Sequence, residues 1–189
     1  MVDGSLTELE RATRLIAGTY RGPHCVEAAA LTLEVGSRLG YELDARPVSM
    51  FAATTTGQTT ATGVQGRAFG EQFLRRYGSV EIGGEFEGGT PFQREAGHMI
   101  VVSEEHHLLL DPTFAQFHHL GDAATALFVS EVDARGNGRF WHVEDEHFFV
   151  RYFAADDFME DGLQAVRALS QDRADEIVDY IRHGPSSPN

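Results

Sequence analysis

The order of its periodicities constrains this chain more than any single motif. Up to residue 40 the apolar residues recur at helical spacing; from residue 98 onward they come in short, strand-like runs. In SLTELERATRLIA, residues 5–17, Leu6, Leu9, Thr13 and Ile16 share a face, and Ser5 with Glu8 makes a capping box. After a turn containing Gly22-Pro23, a second helix is expected over Cys25–Leu39, stopped by Gly40. Its Ala28, Ala29, Thr32, Val35 and Gly36 are slim, which suits a helix packed on more than one side. LDARPVSM, residues 43–50, reads as a short strand, with Pro47 at an edge or bulge. FAATTTGQTTATGVQG, residues 51–66, has no clear period and reads as a long mobile loop. A short helix over 68–76 and a glycine-rich loop over 78–97, with a short strand at Ser79–Ile82, complete an insertion over 51–97 that suits a substrate-selecting lid.

HMIVVS (98–103) and HLLLD (107–111) then read as a hairpin, followed by strands at ALFVSEV (126–132), RFWHV (139–143) and FFVRYF (148–153). A long amphipathic helix over 162–182 closes the chain, and residues 184–189 form a frayed tail. Helices first and antiparallel strands second predict one α+β domain over residues 1–183.

Composition narrows the chemistry. The formal net charge is −14 and no Lys occurs, so no basic stripe is available for nucleic acid and no lysine for a Schiff base or a P-loop. No apolar run is long enough to cross a bilayer, and the N-terminus lacks a signal-peptide pattern, so the expected location is cytoplasmic; export without such a signal stays open. One cysteine forbids an intrachain disulfide and a thiol zinc cluster. The nine histidines show no HExxH pattern, and neighbours such as His106-His107 point to opposite faces of a strand, so no metal or other cofactor is expected.

The single cysteine opens the second helix, where unpaired N–H groups and the helix dipole favour an anion. A thiolate there is a usable nucleophile. It needs a base and an orienting group. His98 and Asp111 stand at the outer ends of the predicted hairpin. A tight loop at Glu104-Glu105, or a longer one over Ser103–His106, puts them directly opposite each other with Cβ atoms ~5 Å apart. Taken singly, the plainer readings prevail: Cys25 as a core thiol, His98 as a strand-end histidine and Asp111 as a turn aspartate. The ordered set of three points to chemistry. The aromatic residues Phe140, Trp141, Phe148, Phe149, Tyr152 and Phe153 alternate along two strands and read mainly as core.

RGPHCVEAAALTLEVGSRLGYELDARPVSM resembles the first half of a transglutaminase-like core: a cysteine opening a helix, a Gly-aromatic after it, then a strand. GHMIVVSEEHHLLLDPT resembles the second half, a His starting one strand and Asp-Pro-Thr ending the next. The resemblance covers about residues 20–115. It implies a papain-like α+β fold with Cys25 as nucleophile, His98 as base and Asp111 as orienter. The usual His-x-Trp is missing, since Ile100 follows Met99, and the stretch between Cys25 and His98 is long for the family. Thr19 stands where papain-like proteases place an oxyanion-donating Gln, so Tyr20, Arg21 and His24 are the nearby substitutes. RGPHCVE is also similar to the Arg-Gly-Gly-x-Cys-x-Glu of arylamine N-acetyltransferases, with Glu27 matching.

The expected function is cysteine-dependent acyl transfer on a peptide, protein or small-molecule acyl substrate, with water or an amine as acceptor. The alternative is a non-catalytic binding or assembly module of the same fold.

Overall fold

A computed structural model describes residues 3–20, 23–77, 82–83, 97–120, 126–132, 134–135, 139–156 and 160–184. Among the described residues the architecture is α+β: five α-helices and a curled, mostly antiparallel sheet. α1 (Asp3–Thr19) and α2 (Cys25–Leu39) come first. β1 (Asp44–Thr54), β2 (Thr59–Thr62), α3 (Gly63–Tyr77) and β3 (Ile82–Gly83) follow. β4 (His98–Ser103), β5 (Leu108–Asp111), a 3-10 turn (Phe114–Leu120), β6 (Leu127–Val129), β7 (Phe140–Glu144), β8 (Phe148–Ala154), α4 (Glu160–Leu169) and α5 (Gln171–His183) complete the order. Among the described residues, no helix is long and apolar enough to cross a membrane.

β1 organises the sheet. One edge pairs with β8 from Val48 to Thr54. The other is shared: Asp44–Val48 pair with β4, and Met50–Ala53 pair with β2. β5 and β6 extend the β4 side, and β7 lies outside β8. Strand alternation then sorts side chains between two faces. Val48, Met50, Ala52, Ile100, Val102, Leu109, Trp141, Val143, Phe148, Val150 and Tyr152 fill the inside of the curl, with Phe114 and Phe117 from the 3-10 turn. Met99, Val101, Leu108 and Leu110 face outward and bury against Leu9 of α1 and Ala29, Ala30 and Leu33 of α2.

α2 spans the predicted residues and stops at Gly40. It is buried without interruption from Ala28 to Gly36. Ala29, Ala30 and Leu33 meet the sheet, while Ala28, Leu31 and Val35 meet α1 and α5. Slim residues allow both approaches at once. Glu34 is the acidic exception on this buried run. It accepts hydrogen bonds from Arg167 Nε at 2.9 Å and Arg38 Nη1 at 3.1 Å, which ties α2 to α4. Burial alone would raise the Glu34 pKa, but hydrogen bonds from Arg167, Gln171 and Arg38 hold it below the usual carboxylate range.

Several expected elements differ. Residues 51–66 are not a mobile loop: β1 runs on to Thr54, β2 returns alongside it, and α3 begins at Gly63. The helix expected over 68–76 thus starts earlier; glycines hid its first turns, yet they permit its packing. A Cβ at position 66 would lie 2.1 Å from the Met50 carbonyl oxygen, so α3 can rest on β1 only with Gly66 there. Phe69 and Phe73 then close over Phe51 and Phe149. Of the expected strand at Ser79–Ile82, only Ile82 lies among the described residues; it and Gly83 pair in parallel with Thr59 and Thr60. Residues 84–96 and 185–189 lie outside them, so the rest of the expected lid and most of the tail do too. α1 starts at Asp3, which puts Ser5 inside the helix and not at its cap. The expected closing helix is two helices, broken at Ser170, whose hydroxyl donates back to Val166 O at 2.9 Å.

Candidate functional site

Period-two alternation carries the site inward. His98 lies two residues before Ile100 on β4, Asp111 two after Leu109 on β5, and Tyr152 two after Val150 on β8. All three therefore share the inner face with the apolar core, and all three are fully buried. Inside apolar surroundings such polar groups must pair with one another. They do: His98 Nε2 and Asp111 Oδ2 are 2.7 Å apart, and the Tyr152 hydroxyl donates to the same oxygen at 2.8 Å. The other carboxylate oxygen accepts the Thr113 backbone N–H at 3.1 Å and its hydroxyl at 3.4 Å. Asp111 thus has donors on both oxygens.

The hairpin register differs from the expected one. Val101 faces Leu110 and Ser103 faces Leu108, so His98 and Asp111 are offset by two residues instead of directly opposed. The cause is the turn, which runs over Glu104–His107 and ends with His107 at φ 51. An offset of two keeps both side chains on one face, where a slip of one would have separated them. A diagonal pair lies within reach of an imidazole.

His98 is fixed from the other side by β1, whose Val48 is its register partner. Gly97 donates its N–H to Val48 O at 3.0 Å, and a Cβ at Gly97 would lie 2.7 Å from both Gly63 N and Thr62 Cβ. The His98 ring stacks on Tyr152 with centroids 6.2 Å apart and meets Phe117 edge-on at 5.2 Å.

Cys25 is half-buried at the first position of α2. The preceding residue, His24, makes no side-chain cap, so the first-turn N–H groups keep their field for an anion. Cys25 lies close enough to His98 to act on the charge of its ring. Burial works to lower the His98 pKa, but the Asp111 charge and hydrogen bond, joined by those of Cys25, push it up to about 10. The raised pKa favours the imidazolium, and a positive ring beside the sulfur stabilises a thiolate. Burial and the Asp111 carboxylate also push the Tyr152 hydroxyl well above its ordinary value, so it stays a donor.

The three residues read from the sequence as a catalytic set are thus linked. Of the suggested oxyanion substitutes, Tyr20 and His24 lie outside this network. Tyr20 and His24 have ring centroids 6.1 Å apart, His24 lies 3.5 Å from the Glu27 carboxylate, and Tyr20 packs on the helical layer. Neither makes a hydrogen bond to His98 or Asp111. Arg21 lies outside the described residues. Two members escaped the sequence reading. Tyr152 passed as core, although a tyrosine on an inward strand position needs a partner for its hydroxyl. Gln116, in the 3-10 turn, has Nε2 2.7 Å from His98 Nδ1. Its only sequence signal is an amide set between Phe114 and Phe117 just after the carboxylate.

No group of three metal-ligating side chains converges among the described residues. No protein-family model matches the chain, and neither a curated protein nor a solved structure matches it.

Proposed function

We propose that this protein is a cysteine-dependent acyl-transfer enzyme with a papain-like, transglutaminase-like core, in which Cys25 is the nucleophile, His98 carries the proton and Asp111 orients and charges His98. One observation carries the reading: a fully buried imidazole–carboxylate pair at 2.7 Å, whose ring is acted on by a half-buried thiol at a helix N-terminus. A buried pair of this kind is costly to build for stability alone, since apolar residues of like volume hold a core as well or better.

With His98 protonated at rest, the sulfur attacks as thiolate. It bonds to the carbonyl carbon of an amide, ester or thioester, and the carbonyl π pair moves onto oxygen. Collapse expels the leaving group, which takes the His98 proton, and leaves a thioester on Cys25. Water or an amine then gives up a proton to His98 as it attacks that thioester, and the sulfur departs as thiolate. Water makes the enzyme a hydrolase; an amine makes it a transferase. Asp111 stabilises the imidazolium and holds its ring in place without taking the proton itself.

The test is capture of the thioester. Incubated with p-nitrophenyl acetate and quenched in acid, the protein gains one acetyl group on Cys25, read by mass spectrometry of peptides, and Cys25→Ala gains none. Acetylation that appears only on other side chains, or equally in the presence of denaturant, contradicts the reading.

A further inference from the structure

Asp111 builds the turn that follows it as well as holding His98. Its Oδ1 accepts the Thr113 N–H at 3.1 Å, and Thr113 O in turn accepts the Gln116 N–H at 2.9 Å. Phe114 and Phe117 anchor that turn in the apolar interior, both nearly inaccessible to solvent. Between them Gln116 remains half-buried, its carboxamide nitrogen 2.7 Å from His98 Nδ1. Asp111 holds Nε2, so Gln116 meets the ring at its other nitrogen. The Gln116 carboxamide and the Cys25 thiol therefore both act on one ring. They are also the partly exposed members of a set whose other members, His98, Asp111 and Tyr152, are sealed.

A carbonyl carbon attacked by Cys25 must sit beside the sulfur, and its oxygen then lies close to this ring. A carboxamide N–H delivered there is a donor to the charge that develops on that oxygen, the kind of contact that contributes most to acyl transfer. Thr19 stands where papain-like proteases place their donor, and it is exposed, its hydroxyl turned to Leu15 O at 3.1 Å.

From this convergence we infer that Gln116 is a catalytic residue, its side-chain N–H donating to the substrate carbonyl oxygen as that oxygen becomes an anion. The inference rests on the acyl-transfer reading. With His98 charged, its Nδ1–H needs an acceptor, so the carboxamide turns its oxygen to the ring and its N–H toward the substrate. In the step itself the Cys25 sulfur forms a bond to carbon, the carbonyl π pair goes to oxygen, and Gln116 shares but does not transfer its proton. Return of the pair re-forms the carbonyl and breaks the bond to the leaving group.

Two probes separate this role from others. Alkylation of Cys25 by iodoacetamide displaces iodide at a saturated carbon and makes no oxyanion; acetylation by p-nitrophenyl acetate makes one. Gln116→Met keeps the length of the side chain and removes the donor. Its acetylation rate constant, read as the p-nitrophenol burst, is expected to fall about 10²-fold while its alkylation rate constant stays within about twofold of wild type. Gln116→Leu, a second uncharged side chain without a donor, is expected to show the same split, so a poorly folded Met variant does not leave the question open. Equal losses in both rates in either folded variant would make Gln116 a support for the ring and overturn the inference. Gains in both would make it a block on the ring and overturn it as well. Wild-type protein that undergoes neither reaction removes the parent reading, and this one with it.

Discussion

Asp111 meets His98 at 2.7 Å from a position offset by two residues across the hairpin, not from directly opposite. The pair survives the offset because strand alternation repeats every two residues, so both side chains still enter the curl of the sheet. Asp111→Asn keeps that shape and removes the charge. It is expected to lower the acetylation rate of Cys25 by about 10²–10⁴-fold, as loss of the orienting carboxylate does in other triads, with the fold retained. Circular dichroism beside the p-nitrophenol burst checks this; a burst within a factor of about two of wild type would show that the carboxylate only fills space.

Tyr152 donates to the same carboxylate oxygen as His98 and stacks on its ring. Tyr152→Phe keeps the stack and leaves a buried acceptor short of one donor. The expected cost is roughly 1–2 kcal/mol of stability in urea unfolding. Acetylation should fall by about tenfold or less, because the His98–Asp111 contact itself remains. A loss of rate equal to that of Asp111→Asn would assign Tyr152 a larger role than support.

How much of this was legible beforehand depends on where each property resides. α2 and β4 were readable to the residue because local signals set them: a helical run stopped by Gly40, and an apolar strand begun by His98. The order Cys25, His98, Asp111 was readable for the same reason. The register was not, because a turn closing on His107 at positive φ follows no residue preference strong enough to choose it. The later part of α3 was readable over 68–76, but its start was hidden because Gly63 and Gly66 argue against a helix locally, while the close approach of Gly66 to Met50 and the packing of Phe69 and Phe73 are tertiary gains. Gln116 and Tyr152 entered the site only through contacts between strands and turns far apart in sequence.

Folding raises the His98 pKa from 6.5 to about 10, so the proton it binds adds stability. The contribution is complete below pH 6.5, where the unfolded chain is protonated too, and it fades as pH rises through about 10. In His98→Gln this alkaline decline should be absent, with the stability gap to wild type shrinking between those limits. Urea unfolding across pH 6–10 reads it; a gap that is flat with pH would mean that His98 is neutral in the folded protein.

Gly97 sits against Gly63 and Thr62 immediately before His98. Gly97→Ala must push β4 away from the start of α3. A destabilisation of roughly 1–3 kcal/mol is expected, together with slower alkylation of Cys25 as His98 shifts with its strand. Thermal melts and the iodoacetamide rate check both effects; unchanged alkylation would mean that the imidazole tolerates movement of its backbone.

The most direct test is the rate at which iodoacetamide alkylates Cys25 in the folded protein at neutral pH, measured for wild type and for His98→Ala. A sulfur paired with a protonated ring should react faster in the native protein than in urea, and the substitution should remove that advantage. A thiol that is slow until the chain is unfolded, or one indifferent to residue 98, would contradict the account.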